Sequence, residues 1–169
     1  MSEEIINRVS NSKLVTIDLE DYYPDGKRIV FDISVWLHEG LILIEKNFRE
    51  KIELHDWNTY SDTYVALTCK TDAIIPSWAY LLITTKLSPF AKKVVVGNLE
   101  LLETVLYQDI ISNMSLADYA DKPIIIKGCS NKPIPETASI MLVEKLLPIA
   151  KTILFGEACS TVPLYKRKK

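Results

Sequence analysis

Short apolar runs of strand length alternate with longer segments of helical periodicity from residue 63 onward, and no other feature constrains the fold as strongly. The strand-like runs are residues 63–69, 93–97 and 123–128. The helical segments are residues 76–87, 99–112 and 136–155. A β-α-β-α-β-α order whose strands are apolar on both faces is typical of a parallel sheet covered by helices. The sequence therefore predicts an α/β fold with a largely parallel three-layer sheet.

The residues before this alternation predict a smaller antiparallel element. Residues 13–19 and 28–33 have strand character, and the Pro-Asp-Gly turn signature at 24–26 separates them, so we expect an N-terminal antiparallel hairpin. A capping-box pattern predicts a short helix at 48–55. We find no internal repeat and no linker, and we predict a single α/β domain over residues 1–169. Its parts are residues 13–62 (hairpin and short helix), 63–156 (β-α core) and 157–169 (C-terminal tail).

Charge and hydropathy exclude several classes of function. The net charge of -2 over 169 residues provides no general positive field for nucleic acid. No apolar stretch reaches the roughly 18 residues that a membrane span requires, and the polar N-terminus lacks the apolar core of a signal peptide. Neither GxGxxG nor GxxxxGK[ST] occurs, so no nucleotide cofactor is predicted. We expect a cytoplasmic protein that binds neither nucleic acid nor membrane.

The three cysteines, Cys69, Cys129 and Cys159, carry the main chemical interest. In the cytoplasm they are expected to be thiols or ligands, not disulfides. Cys69 and Cys129 each follow a predicted parallel strand, which places both at the carboxyl edge of one sheet, where α/β proteins bind ligands. The alternative is that they are small core residues, since free cysteine is among the most buried residue types.

Three further residues bear on a site built around these thiols. Asp72 lies three residues after Cys69, and His55 is the histidine that a thiol site would use as a ligand or a base. The simpler interpretation of His55 is a solvent-facing residue at a helix end. Cys159 follows a helix of about 30 Å that is kinked at Pro148, which carries it toward the opposite edge. It joins the others only if the chain turns sharply, the tail folds back, or a second subunit supplies it.

Seven segments resemble an uncharacterised bacterial family, catalogued as domain of unknown function 2480, over nearly the whole chain. They are KLVTIDLEDYYP, EKNFRE, HDW, TDAIIPSWAY, PFAKKVVVGNLE, KGCSNKPIPE and GEACSTVPLYKRK. Members of this family tend to be encoded near the SUF machinery for iron–sulfur cluster assembly. The resemblance implies an accessory role in that process, with iron–sulfur assembly proteins as partners. It favours the cysteines as ligands of zinc, iron or an iron–sulfur cluster.

Three hypotheses of function remain open, and a homo-oligomer is compatible with each. The first is a metal-binding accessory protein whose ligands are Cys69, Cys129 and Cys159, with Asp72 or His55 as the fourth. The second is a thiol enzyme or sulfur carrier with Cys129 as nucleophile and His55 as base. The third is a partner-binding module with structural cysteines, in which Trp57, Trp78 or the basic tail lies at an interface.

Overall fold

Parallel strands and helices alternate along the chain. The structure is a computed structural model, and it describes residues 14–128, 130–157 and 160–168. The strands are β1 (Val15–Ile17), β2 (Arg28–Asp32), β3 (Tyr64–Thr68), β4 (Lys93–Val96), β5 (Pro123–Ile126), β6 (Thr152–Glu157) and β7 (Ser160–Lys166). The α-helices are α1 (Glu45–Leu54), α2 (Ser77–Leu87), α3 (Leu99–Asn113) and α4 (Glu136–Leu146). The predicted α/β class is confirmed, and so is the β-α-β-α-β-α order from residue 63.

The strands form two sheets, whereas the sequence predicted one. One sheet has the order β1-β5-β6-β7 and the other the order β2-β3-β4. Every pairing is parallel except that of β6 with β7. The predicted N-terminal hairpin is wrong, because β1 pairs with β5 and β2 pairs with β3, both in parallel. Apolar periodicity sets the local conformation of a strand, but it does not determine which strand becomes its partner.

The helix predicted for residues 136–155 is correct for its first three turns and wrong after them. The helix α4 ends at Leu146, and the chain then forms the antiparallel pair β6–β7. Pro148 ends the helix and does not kink it, since proline lacks the N–H that the helix needs. The branched and aromatic residues of 152–155 suit a strand. The predicted C-terminal tail therefore contains an edge strand, and the antiparallel edge of the fold lies here.

The chain divides into two compact units. We call them the split unit (Met1–Tyr23 with Tyr107–Lys169) and the inserted unit (Pro24–Leu106). The boundary at Leu106 falls within α3. Within the described residues each unit contains a three-stranded parallel arrangement, β1-β5-β6 in the split unit and β2-β3-β4 in the inserted unit. The prediction of a single domain stays a prediction.

The two units are built on one pattern, so the absence of an internal repeat was a wrong inference. IPSWAYLLITTKLSPFAKKVVVG (75–97) aligns without a gap with IPETASIMLVEKLLPIAKTILFG (134–156), a shift of 59 residues. The strand registers follow the same shift, because Val65 pairs with Val94 and Ile124 pairs with Ile153. The first strands are equivalent at a shift of 14 residues, since Val65 and Ile124 pair with Ile29 and Val15.

Residues at equivalent positions have the same burial and the same backbone contacts in both units. Buried faces of α2 and α4 carry small and branched residues at the same spacing. These are Ala79, Ile83 and Leu87 in α2, and Ala138, Leu142 and Leu146 in α4. Asp62 and Asp121 have φ of 59° and 56°, and each donates its N–H to a carbonyl just after the following helix, at 3.0 Å in both cases. Aspartate tolerates this left-handed conformation better than most residues do. These shared residues specify the fold of each unit.

Candidate functional site at the carboxyl edge of the four-stranded sheet

An ion pair joins the carboxyl ends of β1 and β5. Asp18 follows β1, and its carboxylate caps the 3₁₀ helix Leu19–Tyr22 by accepting the N–H of Glu20 at 2.9 Å. Lys127 follows β5, and its Nζ lies 2.5 Å from Oδ2 of Asp18. Partial burial acts to raise the pKa of Asp18, but the bonds from Lys127 and Glu20 outweigh it and lower that pKa. The same bond to Asp18 raises the pKa of Lys127. Both groups are therefore charged at neutral pH.

The turn that leads from β5 into α4 is held by Glu20. Oε2 of Glu20 accepts the N–H of Asn131 at 3.0 Å and the hydroxyl of Ser130 at 3.3 Å. The hydroxyl oxygen of Ser130 in turn accepts the N–H of Lys132 at 3.0 Å. Charge-assisted bonds of this kind order a short loop. The turn is therefore fixed from the end of β1, on the same edge as the ion pair.

A cavity of about 210 Å³ opens between this turn and the start of α4. It is lined by Asp18, Leu19, Lys127, Gly128, Ser130, Ile134, Pro135, Glu136, Ser139 and Phe155. Gly128 leaves room there, because a Cβ at this position would lie 3.1 Å from the ring of Phe155 and the ring would have to shift slightly. The lining mixes two hydroxyls, a cation and two carboxylates with apolar walls. Such a cavity can orient a small polar group.

Cys129 and Cys159 lie outside the described residues, but their described neighbours come together at this edge. A Cβ on Gly128, which precedes Cys129, would lie 3.4 Å from Cα of Gly156. Gly156 and Glu157 pair with Thr161 and Ser160 across β6 and β7. The long helix on which the predicted remote position of Cys159 depended does not exist.

Glu157 is a member of this edge that the sequence analysis missed. Its Oε1 is buried and accepts no hydrogen bond from the described residues. Its charge also contributes to the raised pKa of Lys127, after the larger effect of Asp18. The available signal was its position two residues before Cys159, in GEACS, but the predicted long helix obscured that strand end. A buried carboxylate oxygen without a donor is costly, so its presence here requires an explanation.

The other predicted site residues lie in the inserted unit and have separate surroundings. Cys69 is partly buried against that unit's core, with Sγ 3.4 Å from both the carbonyl oxygen and the hydroxyl of Thr71. Asp72 lines a different cavity, beside Leu41 and Ile74. His55 follows the last residue of α1, its side chain is partly exposed, and its Nε2 lies 3.1 Å from the hydroxyl of Tyr60.

The expectation that Cys69 and Cys129 share the edge of one sheet is wrong, since β3 and β5 belong to different sheets. Among residues 14–128, 130–157 and 160–168, no group of three or more His, Cys, Asp or Glu side chains is placed to hold a metal. Cys69, Asp72 and His55 thus form no such group by themselves. The full five-residue set stays a prediction, because it includes two cysteines outside those ranges.

The fold and this edge define a mixed α/β protein with a small polar cavity at the carboxyl ends of parallel strands. Across the described part of the chain, every helix is too short or too polar to cross a membrane. The chain belongs to the family described as protein of unknown function (DUF2480), whose model matches residues 3–167. Comparisons with curated proteins and with solved structures give no match.

Proposed function

We propose that this protein is a cytoplasmic accessory of iron–sulfur cluster assembly in which Cys129 and Cys159 bind zinc, iron or a cluster. The observation that carries the proposal is the close approach of Gly128 to Gly156, because Gly128 directly precedes Cys129 and Gly156 lies three residues before Cys159. Thiolates are preferred ligands of both metals. The link to iron–sulfur assembly, and to its proteins as partners, comes from the resemblance of the chain to its family.

The donor set of the split unit supports a metal ion at this edge. Glu157 supplies a buried oxygen with no donor in the described structure, and a carboxylate can complete a zinc site that has two thiolates. Lys127 and Asp18 neutralise each other, so the site retains the negative charge that a cation requires. The proposal does not use Cys69, because Cys69 packs against the core of the inserted unit and contacts Thr71.

Metal analysis of protein purified without oxygen tests the proposal. We expect about one equivalent of zinc or iron in the natural protein and the loss of most of it in Cys129→Ser and Cys159→Ser. Cys69→Ser is the matched control and should retain the metal. Less than about a tenth of an equivalent in the natural protein, or full occupancy in Cys129→Ser, would contradict metal binding by these residues.

A thiol enzyme or sulfur carrier is the second candidate, and the cavity favours it. Two of the residues that line its 210 Å³, Gly128 and Ser130, are the chain neighbours of Cys129, so a small substrate has room beside that position. The start of α4 borders the same cavity, and a helix N-terminus lowers the pKa of a nearby thiol. Alkylation rates measured against pH distinguish this candidate. A Cys129 that titrates near about 8.5 and reacts slowly would count against it.

The partner-binding hypothesis has less support from the described residues. Trp57, which that hypothesis placed at an interface, is buried in the inserted unit. Its indole N–H donates to the carbonyl of Ile52 at 2.9 Å. Trp57 is thus part of the core, and the hypothesis then depends on Trp78 and the tail.

A further inference from the structure

The inserted unit contains a concentration of aromatic rings around His55. The centroid of its imidazole lies 4.7 Å from Trp57, 5.2 Å from Trp36, and 5.7 Å from both Phe31 and Tyr60. Phe31 also meets Trp36 edge-on at 4.9 Å and lies parallel to Trp57 at 5.9 Å. The five rings therefore form one continuous cluster, which we call the aromatic cluster.

A cavity of about 150 Å³ opens onto this cluster from the surface. It is lined by Val30, Phe31, Asp32, Val35, Trp36, His55 and Tyr60. Four of these seven residues are rings of the aromatic cluster, and Asp32 is the acidic residue among them. Val30 and Val35 are 41% and 67% exposed, so the cavity is accessible from solvent. Its volume is half or less of the roughly 300 Å³ at which drug-sized pockets begin, so its ligand is a small group.

The fold does not require these rings, because the split unit makes the same fold without most of them. The registers of the two sheets make Phe31 equivalent to Ile17 and Trp36 equivalent to Tyr22. At the 59-residue shift, Trp57 corresponds to Leu116, and His55 corresponds to Met114. At the same shift Tyr60 corresponds to Tyr119, so the positions of Trp36 and Tyr60 are aromatic in both units. An aliphatic or thioether side chain suffices at the other three positions. The rings of Phe31, Trp57 and His55 are therefore not required by the fold, and ligand binding provides a reason for them.

The charges around the cavity favour a cation. Hydrogen bonds to Asp32 from Ser34 and from the backbone of Lys70 overcome the effect of partial burial and lower the pKa of its carboxyl, so the group is ionised. Lys70 stands 3.7 Å from Oδ2 of Asp32, but its side chain is 70% exposed, so solvent and salt screen its charge and it offsets that of Asp32 only in part. Burial lowers the pKa of His55, although Asp56 acts to raise it, so this ring adds no positive charge at neutral pH. The faces of aromatic rings carry negative potential and attract cations.

We propose that the inserted unit binds a small alkylammonium group, of the quaternary type, in the cavity between Trp36, Tyr60 and Phe31. The rings surround the methyl groups of the cation, and Asp32 contributes the nearby negative charge. This site is independent of the metal or thiol chemistry proposed for the split unit. It assigns to the inserted unit a recognition function of its own.

Nuclear magnetic resonance of the tryptophan indole N–H groups tests this proposal on the full chain. Choline is the probe, and 3,3-dimethyl-1-butanol is its uncharged isostere, with both titrated at constant ionic strength. We expect choline to shift the Trp36 signal, while Trp78, which packs on Phe48 away from the cavity, stays in place. The isostere should bind at least about tenfold more weakly, because it lacks the charge that the rings attract.

Three variants separate ligand binding from effects on folding. Trp36→Leu removes the reporting indole, so binding to the variants is measured by titration calorimetry. Trp36→Leu should weaken choline binding about tenfold, and Tyr60→Phe, which keeps the ring, should change it by less than about threefold. His55→Met carries the residue of the split unit and shows whether the fold tolerates a non-aromatic side chain here. The proposal is overturned if the isostere binds as well as choline, if Trp36→Leu binds normally, or if choline in the tens of millimolar leaves Trp36 unshifted.

Discussion

Removal of one partner from the buried ion pair of Arg28 and Glu103 should be among the most destabilising single changes in the inserted unit. Nε of Arg28 lies 2.7 Å from one carboxylate oxygen of Glu103, and its second nitrogen donates to the other oxygen at 3.3 Å. The two side chains are only 12% and 5% exposed. Arg28 also donates to the carbonyls of Pro24 and Gly26 and lies 4.9 Å over the ring of Tyr64.

Removing one partner of this pair leaves the other charge buried. We expect Arg28→Met to lower the free energy of unfolding by about 3–5 kcal/mol, because the carboxylate of Glu103 then has lost its cation. Glu103→Gln keeps an acceptor in place, so its cost should be about 1–3 kcal/mol. The double variant Arg28→Met with Glu103→Leu should cost less than the sum of Arg28→Met and Glu103→Leu measured singly, since it removes both charges together.

Urea denaturation followed by tryptophan fluorescence measures these costs in the right unit, because Trp36, Trp57 and Trp78 all lie in the inserted unit. Glu53→Gln is the control, since its pair with Lys86 is exposed and should be worth less than about 1 kcal/mol. A cycle that is additive within about 0.5 kcal/mol would refute the buried pairing. Equal effects of Arg28→Met and Glu53→Gln would refute it as well.

Two further predictions concern single side chains. Tyr107→Phe should lower the free energy of unfolding by about 1–2 kcal/mol in urea denaturation, because the carbonyl of Leu19 loses a hydroxyl donor at 2.8 Å. The equivalent position of the inserted unit is Phe48, which is also buried. The variant Phe48→Leu shows the cost of altering a ring that makes no such hydrogen bond. A cost below about 0.3 kcal/mol for Tyr107→Phe would contradict this. Burial lowers the pKa of His55 in the folded protein below its ordinary 6.5, so the unfolded chain binds a proton here more strongly than the folded chain does. The free energy of unfolding should therefore decrease as the pH falls from about 7 through 6.5 toward the lowered pKa of the folded state. His55→Met should remove this dependence while His38→Gln, at an exposed position, leaves it; an unchanged pH profile in His55→Met would contradict the assignment.

The order of elements was predictable from residue 63 because each element is specified by its own sequence. Apolar runs such as 123–126 became strands, and the helical periodicity of 77–87 became α2. Partner choice was not predictable, since β1 and β2 lie close in sequence but pair with strands far along the chain. The repeat was missed because its shared residues, such as Ala79 with Ala138, are scattered among substitutions that keep only size and polarity.

The location of the candidate site was predictable from the sequence, but the residues that form it were not. The rule that ligands bind at the carboxyl ends of parallel strands leads to Asp18, Lys127 and the turn after β5. Cys69 entered the prediction because two strands were assigned to one sheet, and Glu157 was left out because Pro148 was treated as a kink. In both cases a single error in topology displaced the chemistry that depended on it.

Comparison of the two units indicates which residues at this edge are not needed for the fold. Asp18 and Asp32 are equivalent, and each caps a 3₁₀ helix, so the fold alone explains both. The position equivalent to Glu157 is Asn98, whose side chain accepts the N–H of Leu101 at 2.9 Å at the start of α3. Glu157 starts no helix, and its buried oxygen has no donor among the described residues.

Glu157 should therefore lower the free energy of unfolding of the metal-free protein, and its role as a metal ligand would explain its presence. We expect Glu157→Gln to raise the free energy of unfolding by about 1 kcal/mol in metal-free protein, because a neutral amide is cheaper to bury than a carboxylate without a donor. The same variant should lose metal in the anaerobic preparation, while Glu136→Gln, on the rim of the cavity, should keep it. Unfolding in urea and metal content measure the two effects separately. If Glu157→Gln is destabilising and keeps its metal, this carboxylate is structural and the proposed ligand set is wrong.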